Sequence, residues 1–140
     1  LGAEHPALWS LDHENGDEKA FCCINTNARD FSRIGYLYMK KGNWYGNQIV
    51  SDDYVAESVS VAPLNEPDGT PNSRYGLSWW ILDYKNQQLF YAQGVNGQYI
   101  IVLPQKNLVA VRLGKKRIVE KINGHHKDFY MYLDKILETF

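Results

Sequence analysis

The chain has 140 residues, a formal net charge of -1, and 14% aromatic residues, including four Trp and ten Tyr. That length suits one domain or a large piece of one, and it suffices to bury a core. A charge so near zero argues against a dedicated nucleic-acid binder, and no apolar run approaches the roughly 18 residues that a membrane-spanning helix requires.

In chain order, residues 1–25 read as irregular, with short apolar pieces at 7–11 and 20–24 on either side of a polar loop at 13–19. Cys22 and Cys23 are adjacent, a spacing that strains a mutual disulfide, so free and mostly buried thiols are expected. A helix is expected from Asn27 to about Lys41. Asn27 caps it, Asp30 suits its positive end, Lys40 and Lys41 suit the other, and Gly42 stops it. Phe31, Ile34, Leu37 and Tyr38 give that helix an apolar face at helical spacing. Ser51 caps a second short helix over 52–60, and the segment 63–73, with three prolines and a glycine, is a surface loop.

The period then changes. The runs 75–84, 88–93, 98–103 and 108–113 are short, rich in β-branched and aromatic residues, and divided by turn residues, so they read as antiparallel strands. Trp79 and Trp80 are neighbours on the first of them and face opposite sides. A terminal helix over 127–140 carries Phe129, Leu133, Ile136, Leu137 and Phe140 on one side as packing surface. The fold class is therefore α+β, an antiparallel sheet of three or four strands packed with a C-terminal helix. His125-His126-x-Asp128 is a ligand-like cluster, but it falls at a helix start where Asp128 suits the dipole. No metal and no cofactor is expected.

The run Tyr91-Ala92-Gln93-Gly94-Val95-Asn96-Gly97-Gln98-Tyr99-Ile100 carries the candidate chemistry: a strand entering Gly-x-x-Gly and turning into another strand exposes backbone N–H groups that can hold a developing oxyanion. A plain hairpin has the same pattern. The flanking blocks narrow the choice: Asn27-Ala28-Arg29-Asp30-Phe31-Ser32-Arg33-Ile34-Gly35, Gly42-Asn43-Trp44-Tyr45-Gly46, Tyr75-Gly76-Leu77-Ser78-Trp79-Trp80, Leu103-Pro104, and Val109-Ala110-Val111-Arg112. In this order they resemble the C-terminal part of a serine beta-lactamase-like hydrolase. That family holds class C beta-lactamases, DD-peptidases, esterases and 6-aminohexanoate-dimer hydrolases. The resemblance runs from Leu1 to Leu113, and the terminal helix is consistent with it.

Enzymes of that family attack with the Ser of Ser-x-x-Lys, assisted by a Tyr from Tyr-x-Asn. None of the chain's serines has a Lys three residues on, so the nucleophile is not in this chain. Tyr45-Gly46-Asn47 spells Tyr-x-Asn, but it falls in a turn where the family has a Gly-x-Trp-x-Gly-type loop, and it is read as coincidence. The resemblance thus implies that residues 1–140 are the C-terminal portion of one domain whose missing N-terminal part holds the nucleophile.

Carried over residue by residue, Ala92-Gln93-Gly94 stands where relatives have Lys-Thr-Gly. Without that Lys, penicillin-type substrates are in doubt, and Gly94-Val95-x-Gly97-Gln98 is closer to the esterase and 6-aminohexanoate-dimer hydrolase branch. The resemblance makes the Val95 N–H one oxyanion donor. It makes Ala92, Gln93, Gly94, Asn96, Phe21 and Cys22 substrate-wall residues, with Gly94 small so that substrate slides along the strand edge. A small amide or ester is the implied substrate, and the cell envelope or periplasm the implied location. A non-catalytic binding or sensor module is the alternative. With its partner strands absent, the strand at 108–113 is expected to be an open edge able to pair with a second copy.

Overall fold

The computed structural model describes residues 1–140. A short ladder, β1 (Leu8–Trp9) with β2 (Ile24–Asn25), leads into α1 (Ala28–Met39). A tight hairpin, β3 (Asn43–Trp44) and β4 (Asn47–Gln48), precedes α2 (Asp52–Ser58). Four strands, β5 (Trp80–Tyr84), β6 (Gln87–Gln93), β7 (Tyr99–Leu103) and β8 (Leu108–Arg112), then form one antiparallel sheet in sequence order. The ladder of β9 (Lys121–Ile122) with β10 (His125–His126) delivers the chain to α3 (Lys127–Thr139). No helix is long and apolar enough to cross a membrane.

The start of α1 is fixed as its sequence implies. The Asn27 side chain accepts the Asp30 N–H at 2.8 Å, satisfying one orphan donor of the first turn. Asp30 does more than favour the helix dipole, because its buried carboxylate also accepts the N–H of Glu4 at 2.8 Å, of His5 at 3.2 Å, and Arg33 Nε at 3.1 Å. These donors, the Glu4 N–H first, hold its carboxyl below the usual carboxylate range. At the other end the Gly42 N–H closes back on the Leu37 carbonyl with φ +80°, a conformation that suits glycine.

α1 lies along the sheet. A Cβ on Gly35 would meet Val109 Cγ1 at 2.7 Å and Ile100 Cγ2 at 2.8 Å, so helix and strands approach as closely as a glycine allows. Lys40 Nζ donates to Asn107 Oδ1 at 2.7 Å, which pins the C-terminal end of α1 to the β7–β8 connection. Its N-terminal end therefore lies toward the end of the sheet where β6 leaves and β7 enters.

Both faces of the sheet are covered. On the α1 side Trp79, Phe90, Ile100 and Val102 are buried, with Phe31, Ile34 and Tyr38 packed on them. On the α3 side Leu89, Tyr91, Tyr99, Ile101 and Leu103 pack with Phe129 and Leu133. β7 is consequently buried at every position, and its sequence is a continuous apolar run rather than an alternation. Trp79 and Trp80 sit on opposite faces, as expected. The strand expected over 75–84 begins only at Trp80, because Ser78 adopts φ +68° in a turn closed by Gly76 N–H to the Trp79 carbonyl. Phe140, placed on the apolar stripe by its spacing, is 73% exposed beyond the last turn of α3.

The thiol expectation is corrected. Cys22 and Cys23 form a disulfide with each other, and no free cysteine remains. Nor is the segment a buried strand: the chain turns at Ala20 and Phe21, Cys23 takes φ +76°, and Cys23 is exposed with Cys22 half-buried. The Trp9 indole holds this turn by donating to the Lys19 and Cys22 carbonyls at 3.0 and 3.1 Å.

His125, His126 and Asp128 part to separate partners. Tyr91 Oη lies 2.5 Å from His125 Nδ1, His126 Nδ1 faces the Ile118 carbonyl at 3.0 Å, and Tyr99 Oη donates to Asp128 at 3.2 Å. Burial, then the nearby Arg74 charge, pushes His125 down to about 4 from an ordinary 6.5. The unfolded chain therefore takes up this proton before the folded one does. The contribution of His125 to stability is complete above about pH 6.5 and is lost as pH falls toward 4. From pH 7.5 to 5 the chain should lose about 2 kcal/mol from this group, measured by urea unfolding. His125→Phe should be less stable at pH 7.5 but show a flatter profile, and an equally steep profile would refute the assignment.

Candidate functional site

The 94–97 turn joins β6 to β7. The Gly94 N–H bonds the Gln98 carbonyl at 2.8 Å, and the Gly97 N–H bonds the Gly94 carbonyl at 3.3 Å. The Asn96 N–H is taken by Gln98 Oε1 at 3.0 Å, while Gln98 Nε2 reaches the Gly114 carbonyl at 2.8 Å. The Asn96 and Gly97 carbonyls both accept from Arg112 Nη1, and the Gly94 carbonyl accepts from Arg117 Nη1 at 3.3 Å. Among the turn's backbone groups, only the Val95 N–H and carbonyl are left without a partner in the chain, and the Asn96 side-chain amide makes no hydrogen bond either. The Val95 side chain is 80% exposed. An unengaged N–H on an exposed residue, inside a turn whose other backbone groups are tied down, is preorganised for an acceptor brought from outside.

The other expected residues fall as follows. Ala92 and Gln93 are the last residues of β6, paired with Ile100 and Tyr99, and both are half-buried. Asn96 is exposed and engaged through its backbone. A Cβ on Gly94 would meet Gln98 Oε1 at 2.7 Å and Gln98 Cβ at 3.1 Å. Phe21, 85% exposed, and Cys22 lie in the turn before β2, upstream of α1. The N-terminus of α1 points toward the same end of the sheet, but no hydrogen bond or ring contact joins Phe21 or Cys22 to the 94–97 turn. An apolar groove of about 460 Å³, lined by Tyr38, Met39, Val55, Val59 and Phe90 among others, lies at the opposite end, beside Gln88 and Pro104. Tyr45 and Gly46, with φ +49° and +96°, form the β3–β4 turn, so Tyr45-Gly46-Asn47 is a hairpin turn.

Three residues that hold the turn, Gln98, Arg112 and Arg117, were not singled out by the sequence for this task. Arg112 closes a motif block and Arg117 ends a basic stretch, but nothing in their spacing shows that backbone carbonyls are their acceptors. Arg112 also donates to the Lys116 carbonyl at 3.0 Å and lies 5.0 Å from the Tyr132 ring centroid.

No protein-family model matches the chain. It is 27% identical over 117 residues to an uncharacterized protein of Alkalihalophilus pseudofirmus, covering 74% of this chain and 33% of that one. In structure it is similar to a Bacillus anthracis chain titled "Putative 6-aminohexanoate-dimer hydrolase", with a TM-score of 0.63, 24% identity, and coverage of 84% of this chain and 29% of that one. The chain thus spans about a third of the length of each relative. The likeness shows that the fold is shared: a mixed α/β arrangement with an antiparallel sheet and a C-terminal helix.

The turn itself makes a prediction. Gly97 has φ +76°, and a Cβ there would collide with Arg112 Nη1 and meet Arg117 Cβ at 3.0 Å. Gly97→Ala should cost about 1–3 kcal/mol in urea unfolding, since the conformation is strained and Arg112 must move. An alanine variant as stable as the parent would show that the turn is not held in this way.

Proposed function

We propose that this chain is the C-terminal part of a serine hydrolase of the beta-lactamase-like family, cleaving a small amide or ester through an acyl-enzyme. The observation that carries the reading is the unengaged N–H of exposed Val95 in a turn whose other backbone N–H groups are all bonded. The shared fold with the B. anthracis chain supports it, as does the order of motif blocks from Asn27 to Arg112. Coverage of about a third of each relative leaves room for the Ser-x-x-Lys nucleophile upstream.

In this reading a serine Oγ from the preceding part of the domain adds to the substrate carbonyl carbon, and its proton passes through the neighbouring base to the leaving amine or alcohol. The carbonyl oxygen gains negative charge as the C–O bond to serine forms, and the Val95 N–H donates to it. Collapse of this adduct breaks the scissile C–N or C–O bond, and the protonated amine or alcohol leaves. Water then adds to the ester intermediate, whose acyl–Oγ bond breaks to release the acid and return the proton to serine. Ala92, Gln93, Gly94, Asn96, Phe21 and Cys22 would line the approach. The absence of Lys at position 92 favours an ester or linear amide over a penicillin-type carboxylate. The Cys22–Cys23 disulfide supports an oxidising compartment such as the cell envelope. β8, the last strand of the sheet, would be covered by strands from the preceding part, or by a second copy when that part is missing.

The test uses the full-length protein that carries this chain. Val95→Ala keeps the N–H and should retain most activity toward an activated ester, whereas Val95→Pro removes it and should lower kcat by about 10²–10³-fold. Melting curves accompany both, because proline also constrains the backbone. An active, folded proline variant would place the oxyanion hole elsewhere. A full-length sequence lacking Ser-x-x-Lys would favour the binding or sensor module instead.

A further inference from the structure

We infer that Arg117 is a positioning residue for the Val95 N–H, acting through the peptide that joins Gly94 to Val95, within a frame that Arg112 holds. This role rests on the reading of Val95 as an oxyanion donor and extends it to the residues that aim the donor. The Gly94 carbonyl and the Val95 N–H are the two ends of one planar trans peptide, so a group that fixes the direction of one fixes the direction of the other. The Gly94 carbonyl has two donors, Arg117 Nη1 and the Gly97 N–H, each at 3.3 Å. One is a cation. A charge-assisted bond at the carbonyl polarises the peptide and makes the N–H at its far end a stronger donor.

Arg112 supplies the frame. Its guanidinium reaches the Asn96, Gly97 and Lys116 carbonyls and lies over the Tyr132 ring, tying the turn to the β8–β9 connection and to α3. Gly97 and Gly114 both lack room for a Cβ because this guanidinium occupies the space. Three of its five N–H donors go to these backbone carbonyls. The acceptors of both arginines are carbonyl oxygens, and residues 84–119 contain no Asp or Glu to draw them away. Holding Lys116 also holds Arg117, its neighbour in the chain.

The experiment takes the full-length protein with ¹⁵N-labelled valine and compares Arg117→Gln, Arg117→Lys and Lys115→Gln. Arg117→Gln should lower kcat on an activated ester about tenfold with KM changed less than about twofold, because it weakens a transition-state donor without removing it. Arg117→Lys, which keeps a cationic donor, should recover part of the loss, and Lys115→Gln should match the parent. The Val95 ¹⁵N resonance should move upfield in Arg117→Gln while that of Val102 stays in place, a signature that general loss of stability does not produce. Full activity in Arg117→Gln, or an unmoved Val95 resonance, overturns the role. If Arg117→Gln fails to fold, Arg117→Met, which keeps the apolar stem and has no donor, takes its place, and a Met variant indistinguishable from the parent in both readouts overturns the role equally. Activity in Val95→Pro brings down the oxyanion reading itself, whereas an inactive Val95→Pro beside a fully active Arg117→Gln removes only the positioning role.

Discussion

The Arg112 guanidinium is the contact on which the 94–97 end of the sheet depends. It joins the 94–97 turn, the connection after β8 and the α3 helix at one point, and it lies against Gly97 and Gly114. Five N–H donors in a planar fork suit one side chain to several carbonyls at once. A lysine in its place would bring a point charge and too few donors in the right plane. The sheet provides the rigid support: β7 is buried along its whole length between α1 and α3. A turn anchored to such a strand keeps its peptide planes, and an oxyanion donor is useful only if it does not have to reorganise when charge develops.

Much of the fold was legible because its signals are local. Asn27, Gly42 and the Phe31–Tyr38 stripe delimit α1 to within a residue or two, since capping and helical periodicity act over a single turn. The β6–β7 and β7–β8 hairpins followed from glycine and proline punctuation, with Asn107 in the left-handed region closing the second. What was not legible depends on contacts between segments distant in sequence. The strand expected from Tyr75 is a turn up to Ser78 because the Ser58 carbonyl takes the Leu77 N–H. Asp30 looked like a dipole residue and proves to anchor the chain start through Glu4 and His5.

The candidate site was legible in its position and not in its construction. Glycines at 94 and 97 marked a turn between strands, and the motif blocks around it suggested what the turn does. The free backbone donor is set by the partners of the other N–H groups of the turn, which lie on Gln98 and Gly94 and carry no local sequence signal. At Gly94 the family resemblance gives the small residue to a sliding substrate, and the structure adds a contact the sequence does not show, the Gln98 side chain beside it. The adjacent cysteines make the same point in reverse. A rule about ring strain predicted free thiols, but the left-handed turn at Cys23 accommodates the bonded pair at the surface.

The most direct test of the central claim is a crystal structure of the full-length protein inactivated by a phosphonate ester, in which the phosphonyl oxygen stands where the oxyanion forms. The expected result is a phosphorus–Oγ bond to a serine upstream of Leu1 and a phosphonyl oxygen about 2.7–3.1 Å from the Val95 nitrogen. A covalent adduct whose phosphonyl oxygen is held by other donors, with the Val95 N–H turned away, would contradict it.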